Sequence, residues 1–311
     1  MLLGILCGGT GWHVQDLLRA AGGLGHNAEA IDFRRVKAVV PWRQVSQFAD
    51  KSHENPSKIS RVDSQSSAAS WETCRHDHLI VRTMPAGSLE QIIFRMDTLH
   101  AAIATGTKVW NSPRALETCV DKFLTTSRLG EAGLSVPRTI CTQTAADAML
   151  AFADLGGDIV VKPIFGSEGR GMVRLTDPEV AWRTFHAIEQ TGGVLYLQEF
   201  IHHPGWDVRA FVLGDRVLAS MKRFGHGDWR TNVAQGGTTE RYELAPAQQK
   251  LALDAARATG TMIAGVDLMC DDSGRWVVIE VNAVPGWKAL AATCGIDVAS
   301  GIIRFIAEGA R

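Results

Sequence analysis

The chain has 311 residues, of which 46% are hydrophobic and 21% charged, a composition typical of a soluble globular protein with a substantial core. Its formal net charge of −1 gives no global attraction to nucleic acid or to an anionic membrane, so any anion must be bound locally. No window approaches about 18 uninterrupted apolar residues, and the six cysteines lack a C-x-x-C pair or zinc spacing, which predicts a cytoplasmic protein with reduced thiols.

The first third of the chain predicts a parallel α/β layer. A strand, a helix and a second strand are indicated by "LLGILCG", "WHVQDLLRAAGGLG" and "NAEAIDF". The apolar start lacks a basic region and is interpreted as a strand rather than a signal peptide. Residues 51–70 are rich in Ser, Asn, Gln and Lys, and predict a mobile loop or insertion. The strand "DHLIVRTM" and the helix "SLEQIIFRMDTLHAAIATG" complete a first domain, predicted at residues 1–107, and the short strand "TKVWNS" leads out of it.

Residues 108–190 predict a second domain of helices and one hairpin. Ser112 caps a helix that has Pro113 at its first position, and Asp121 caps the next helix, "KFLTTSRLGEAG". Two further helices, "TAADAMLAFADLGG" and "PEVAWRTFHAIEQTGG", flank the strands "DIVVKPIF" and "GMVRL". The loop between these strands is therefore predicted to be a hairpin flap.

Residues 191–311 predict a third domain made mainly of antiparallel hairpins. Its strands are "VLYLQEFI", "WDVRAFVLG", "RVLASMKRF", "AGVDLMC" and "RWVVIEVNA", and its helix is "PAQQKLALDAARATG". The fold class is α/β followed by α+β.

The flap has the glycine content of a phosphate-binding loop. In "VVKPIFGSEGRGMVRL", Gly166, Ser167, Gly169 and Gly171 follow a buried-looking strand. The pattern lacks the Gly-Lys-Ser/Thr of a P-loop, and its order G-x-x-G-x-G is not the dinucleotide fingerprint. The loop is interpreted as a flap that approaches phosphate with its backbone.

Two lysines occupy unusual positions. One lies just before the flap, and the other lies at the start of a predicted helix. Lys162 interrupts an apolar strand and either reaches the surface with its ammonium group or meets an anion. Lys122 lies in the first turn of a helix, where the helix dipole disfavours a cation. It is either a surface lysine or part of a phosphate site at the helix start.

Oxygen ligands are concentrated in "GVDLMCDDSGRWVVIEVNAVPG". Alternation places Glu280 and Asn282 on one face of a strand, and a four-residue turn would place Asp267 opposite Val278 on the same face. The alternative is a solvated sheet face, which the apolar neighbours make uncomfortable. The set predicts a Mg²⁺ site, with Mn²⁺ as the alternative ion.

Other residues are candidates for contact with a phosphoryl group or with an adenine ring. Arg209, Arg223, Arg230 and Asn232 suit phosphoryl oxygens, although each arginine taken alone is more often a surface residue. Glu199, Phe200 and Ile201 end a strand in an apolar edge whose backbone groups could read an adenine ring.

Together these fragments resemble the ATP-grasp superfamily and, within it, the RimK-like glutamate ligases. The resemblance runs from about Asn111 to Gly286 and includes "NSPRALETCVDKFLTTSRLGEAGLSVP", "VVKPIFGSEGRGM", "LQEFI", "WDVR", "GDWRTNVAQGG", "GVDLM" and "VIEVNAVPG". It implies an ATP-grasp fold in which an N-terminal parallel-sheet domain precedes two subdomains that hold ATP between them. "MPAGSLEQIIFRMD" also resembles a subgroup linked to pterin-type C1 cofactors.

The resemblance also implies residue roles. Lys122 and Lys162 would contact ATP, and Gly166–Gly171 would form the flap. Glu199 and Ile201 would hold the adenine edge and Asp207 would lie near the ribose. Asp267, Glu280 and Asn282 would bind Mg²⁺. Arg209, Arg230 and Asn232 would face the reacting phosphoryl group.

The implied activity is ADP-forming ligation. A carboxylate attacks the γ-phosphate, and an amine, the α-amino group of glutamate, then attacks the acyl phosphate. The acceptor is a small pterin-type molecule or a protein C-terminus, neither nucleic acid nor membrane is a partner, and a homo-oligomer is compatible with the sequence. The alternative function is a non-catalytic ATP-binding protein in regulation or assembly.

Overall fold

The computed structural model describes residues 1–38, 76–166, 169–225, 229–231 and 237–309. The predicted loop at residues 51–70 therefore lies outside the described residues, and so do Ser167 and Asn232.

The N-terminal sheet is parallel and has the order β2-β1-β3-β4. Its strands and helices are β1 (Leu2–Cys7), α1 (Trp12–Gly23), β2 (Asn27–Asp32), β3 (His78–Val81), α2 (Leu89–Ala104) and β4 (Lys108–Trp110). Leu17 of α1 and Leu99 of α2 belong to different cores, because the two helices cover opposite faces of the sheet. The predicted strand–helix–strand start is confirmed.

Two helices connect this layer to the rest of the chain, α3 (Pro113–Val120) and α4 (Lys122–Glu131). Both predicted caps are present, because Ser112 Oγ accepts from the Ala115 N–H and Asp121 Oδ1 from the Leu124 N–H. These side chains satisfy amide groups that the first helical turn leaves without a partner.

The second sheet is antiparallel, with the order β5-β8-β6-β7. Its elements are β5 (Thr139–Thr142), α5 (Ala145–Asp154), β6 (Ile159–Lys162), β7 (Val173–Leu175), α6 (Pro178–Gln190) and β8 (Leu195–Glu199). Helices α5 and α6 pack on one face around Phe152 and Phe185. β6 and β7 pair as the predicted hairpin, while β5 was not predicted.

The third sheet has five antiparallel strands in the order β11-β10-β9-β12-β13. Its elements are β9 (Trp206–Leu213), β10 (Arg216–Phe224), β11 (Thr238–Arg241), α7 (Pro246–Thr259), β12 (Ile263–Cys270), β13 (Trp276–Asn282), α8 (Lys288–Cys294) and α9 (Val298–Glu308). β11, α8 and α9 were not predicted. No single helix among the described residues has the length and apolar character of a membrane span; only α8 and α9, as a pair bent by 106°, meet that test.

One face of this third sheet changes character along its length. On β9, Phe211 and Leu213 are buried in a core shared with α1 and α9. Asp207 and Arg209 lie on the same face by alternation, nearer the start of the strand. The apolar half therefore joins the sheet to the N-terminal layer, and the polar half faces the second sheet.

Candidate active site

A cleft lies between the second and third sheets, with about 1020 Å³ of space when its opening to solvent is included. Its lining includes most of the predicted site residues: Lys122, Lys162, Gly166, Gly169, Glu199, Phe200, Ile201, Asp207, Arg230, Asp267 and Glu280. Three predicted site residues do not line the cleft: Gly171 of the flap, Arg209 of β9 and Asn282 of β13.

Lys162 is a buried cation at the floor of the cleft. Its side chain does not reach the surface, because the residue is only 7% exposed. The Nζ donates to Gln198 Oε1 at 2.5 Å, and Gln198 Nε2 donates to Tyr196 Oη at 3.0 Å. Burial lowers the pKa of Lys162 to about 8, although the charge of Glu280 opposes this shift. A buried ammonium with a neutral partner is suited to an anionic ligand.

Together with the resemblance to ATP-grasp ligases, this lowered pKa predicts a pH dependence of nucleotide binding. The charged form of Lys162 is lost as pH rises through about 8, so we expect Mg²⁺-free ATP to bind roughly fivefold more weakly at pH 9 than at pH 8. The measurement is a calorimetric titration in EDTA. Lys162→Arg, which stays charged, is the control and should show a flatter profile. Identical profiles for both proteins would contradict the prediction.

Lys122 connects α4 to the flap. Its Nζ donates to the Gly166 carbonyl at 2.7 Å, and its backbone N–H donates to the Ile164 carbonyl at 3.2 Å. Burial lowers the pKa of Lys122, and Glu280 and Asp121 oppose the shift. Lys122 and Lys162 therefore line one cleft, and the negative charge of Glu280 acts on both ammonium groups.

The described part of the flap has glycine at three positions with positive φ, and Gly166 has φ +140°. Gly169 has φ +70° and Gly171 has φ +73°, conformations that side chains with a Cβ disfavour. A Cβ at Gly171 would also lie 2.9 Å from Pro163 Cγ. Across the cleft, Arg230 Nη2 donates to the Met172 carbonyl at 3.0 Å, just past the flap.

We expect Gly169→Val to reduce ADP formation at least tenfold and to leave the protein folded, because the branched side chain opposes the left-handed backbone at the cleft. The measurement is ADP release together with the melting temperature.

Gly192 is a matched control, since it also has φ +70° but does not line the cleft. Gly192→Val should carry a similar backbone cost and keep its activity. Equal activity losses in both variants would assign the effect to strain in general rather than to the flap.

The acid cluster depends on an irregularity in β13. Leu268 pairs with Val278, but the register then shifts and Asp267 pairs with Glu280. The predicted pairing of Asp267 with Val278 is therefore wrong. Since Ile279 is the extra residue of this bulge, the two carboxylates lie directly opposite each other.

Asp267 is held by two arginines. Arg209 binds both of its carboxylate oxygens, and Arg223 Nη2 lies 2.9 Å from Oδ2. Burial would raise the pKa of Asp267, but the two guanidinium groups outweigh it and the pKa is lowered. Arg209 is thus directed at a carboxylate in this structure, and its predicted contact with a phosphoryl group stays a prediction.

Glu280 is different, because no described residue donates a hydrogen bond to its carboxylate. Asn282 follows two residues later on β13 and likewise has no hydrogen-bond partner for its side chain within the described ranges. Both therefore retain free oxygen atoms next to the paired Asp267.

Asp207 and Arg223 form a second, fully buried pair. Arg223 Nε and Nη2 donate to the two Asp207 oxygens at 2.7 and 2.5 Å. Burial alone would lower the pKa of Arg223, but Asp207 and Asp267 raise it. Arg223 therefore links the two carboxylates, and the proposed ribose contact of Asp207 stays a prediction.

The other end of the cleft is aromatic and apolar. The Arg174 guanidinium lies 3.5 Å from the centroid of the Phe200 ring, and Trp229 meets this ring edge-on at 5.9 Å. Glu199 Oε1 accepts from the Arg138 N–H at 2.9 Å. Further apolar lining is provided by Val160, Ile201, Met172, Met269 and Ile279.

Sequence reasoning did not assign several of these residues to the site. Gln198 and Tyr196 sit in a strand without any motif, and only the pairing of β6 with β8 brings them to Lys162. Arg223 was considered as a phosphoryl contact, but its pairing with Asp207 was not predicted; that pairing follows from the register of the β9–β10 hairpin. Lys122 and Lys162, by contrast, were found from their unfavourable local positions.

A family of RimK-like ATP-grasp domains matches residues 119–306. Among curated relatives, the tetrahydromethanopterin:alpha-L-glutamate ligase of Methanosarcina acetivorans is 33% identical over 258 residues, which are 74% of this chain and 79% of that protein. A probable alpha-L-glutamate ligase of Haemophilus influenzae is 35% identical over 65% of this chain and 67% of its own length.

Solved structures agree in fold over nearly the whole chain. The RimK domain protein of Sphaerobacter thermophilus has a TM-score of 0.71 at 20% identity and covers 98% of this chain and 99% of its own. The ATP-grasp ligase PsnB with a minimal precursor has a TM-score of 0.70 at 21% identity, covering 98% of each chain. The D-alanine–D-alanine ligase of Bacillus anthracis with ATP has a TM-score of 0.66 at 16% identity over 100% of this chain and 97% of that one.

Proposed function

Because this chain belongs to the RimK-like ATP-grasp family of ADP-forming ligases, we propose that it joins the α-amino group of L-glutamate to a carboxylate acceptor through an acyl phosphate. The family uses ATP to form amide bonds. The nature of the amino acid and of the acceptor is the proposed part, and so is a cytoplasmic location.

The observation that carries the proposal is that buried Lys162 and the Asp267–Glu280 cluster line the same cleft. A lysine without an anionic partner fits a phosphate group, and the aromatic and apolar end of the cleft fits a base. The flap glycines allow the backbone to approach phosphate closely. These features support ATP as the ligand of the cleft.

The donor set also fits a divalent cation. Glu280 and Asn282 carry oxygens that no described protein group uses, and Asp267 would exchange an arginine contact for the ion. Asp267, Glu280 and Asn282 would hold Mg²⁺, with Mn²⁺ as the alternative. Such an ion supplies neutralisation of phosphate charge.

The residues of the chain would act by positioning and by charge. The acceptor carboxylate oxygen attacks the γ-phosphorus, the bond to the β-phosphate oxygen breaks, and ADP leaves. The glutamate amine then attacks the acyl carbon, loses a proton, and expels phosphate. Lys122, Lys162 and Arg230 line the cleft and would stabilise the negative charge that develops on the transferred group. Arg209 would position Asp267, and Asn232 is proposed as a further contact.

The test is ADP release with Mg²⁺ and L-glutamate over a panel of acceptors. Tetrahydromethanopterin and C-terminal peptides are the two arms, since one curated relative is named for the first and one structural neighbour holds a precursor peptide. We expect one acceptor class to raise ADP release above the control without acceptor. Nucleotide binding without turnover on any acceptor or amino acid would instead favour the non-catalytic alternative.

A further inference from the structure

Arg82 is a cation at the carboxyl end of β3 that the nucleotide cleft does not use. Its guanidinium stacks over the Trp287 ring, with 5.0 Å between Cζ and the ring centroid. Among the described residues, no carboxylate or carbonyl accepts a hydrogen bond from it. Burial lowers the pKa of Arg82 to about 10, which is unusual for a group this basic. A partly buried arginine without an anionic partner has donors to offer a ligand.

The position of Arg82 in the sheet is one where ligands bind in open parallel sheets. The connection from β1 leads to β2 on one side, while β3 lies on the other side of β1. The crevice between the carboxyl ends of β1 and β3 is therefore the topological switch point of this layer. The Arg82 and Thr83 N–H groups both donate to the Leu6 carbonyl, at 2.7 and 3.3 Å, which holds the two strand ends together.

This crevice adjoins the acid cluster. Trp287 follows β13 by five residues, and a small crevice that opens to solvent is lined by Arg82, Val284 and Pro285. Pro285 packs on Gly265 of β12, since a Cβ there would lie 3.0 Å from Pro285 Cβ and 3.3 Å from Arg209 Cδ. Arg82 therefore shares a crevice with Pro285, which packs beside β12, and does not line the nucleotide cleft.

The neighbouring charges favour an anion at this crevice. His13 Nε2 accepts from the Trp287 N–H at 3.1 Å, and burial and Arg82 lower the pKa of His13 to about 4, so the ring is neutral at physiological pH. Asp16 accepts from Trp287 Nε1 at 2.9 Å and is also paired with Arg19. Lys288 adds a second positive charge near His13.

We propose that Arg82 binds a carboxylate group of a substrate, one that takes no part in the reaction. This contact orients the substrate toward the transferred phosphoryl group. This inference rests on the proposed function, because it assigns the crevice to a substrate of the ligase. Guanidinium groups bind carboxylates with two parallel hydrogen bonds, which fixes orientation as well as position. The carboxylate belongs either to the amino acid or to the acceptor, and the two sources are separated by experiment.

The experiment is calorimetric titration of the full chain loaded with Mg²⁺ and AMPPNP. L-Glutamate is the probe for the amino acid, and N-acetyl-L-glutamate, which has no free amine, is the probe for an acceptor. We expect Arg82→Met to weaken the binding of one probe by about 10- to 100-fold, and Arg82→Lys to weaken it less. AMPPNP affinity should be unchanged in both variants.

Arg304→Met, which removes an exposed arginine from α9, is the control and should bind like the wild type. If Arg82→Met does not fold, Arg82→Lys decides, since one ammonium cannot replace a two-bonded contact. The proposal is overturned if neither probe binds the wild type, if both bind the variants unchanged, or if AMPPNP affinity falls equally. Because binding is measured without turnover, a failure of ADP release would reject the ligase proposal separately.

Discussion

Replacement of Glu280 by glutamine is expected to reduce ADP formation by about 10³-fold while the protein stays folded. The substitution keeps the size of the side chain but removes the negative charge of a carboxylate near the end of β13. Among the described residues, none donates a hydrogen bond to this carboxylate. On the proposed function, this carboxylate holds the divalent cation that neutralises the phosphates. No hydrogen bond among the described residues is lost, so the melting temperature should change little.

A second consequence follows from the effect of Glu280 on the lysines. Its negative charge raises the pKa of both Lys122 and Lys162. Without that charge, the pKa of Lys162 should fall further below its ordinary value. Binding of Mg²⁺-free ATP by Glu280→Gln should therefore weaken at a lower pH than in the wild type, which a titration series between pH 6 and pH 9 would measure.

The control for both measurements is Glu243→Gln. Glu243 is exposed on the segment before α7 and lies away from the cleft lining. It should keep wild-type ADP formation and the wild-type pH profile. A Glu280→Gln enzyme that retains more than about a tenth of its activity at saturating Mg²⁺ would remove Glu280 from the proposed metal set.

The largest effect on stability is expected for Asp207→Asn. The substitution leaves the Arg223 guanidinium buried with only Asp267 for charge compensation. Breaking a buried pair by removing one partner costs about 3 to 5 kcal/mol, because the remaining charge cannot recover its hydration. The free energy of unfolding, measured by urea titration, should fall by that amount.

Two comparisons test this reason. Glu179→Gln removes one partner of an exposed pair with Arg183, whose side chains are 74% and 71% exposed, and should cost no more than about 0.5 kcal/mol. The double variant Asp207→Leu with Arg223→Met should recover much of the loss, since it removes both charges together. A loss as large in the double variant as in Asp207→Asn would mean that packing, not charge, sets the effect.

Much of the fold could be predicted because its signals are local. The caps at Ser112 and Asp121 and the alternation of β9 depend on residues within one or two turns of each other. The same holds for the flap, whose glycines lie between two paired strands. β5, β11 and α8 were missed because they are short, with four, four and seven residues. α9 was missed although it is amphipathic and is capped by Asp297.

The amino-acid sequence by itself determined the order of most elements, the glycine flap, the two unusual lysines and the acidic hairpin, since each depends on composition and spacing along the chain. The tertiary structure alone decided which groups meet. The bulge at Ile279 set the pairing of Asp267 with Glu280, and the β9–β10 and β9–β12 pairings placed two arginines on Asp267. The physical reason is that register and strand order bring together side chains far apart in the chain, and the charge balance of a buried site depends on those neighbours.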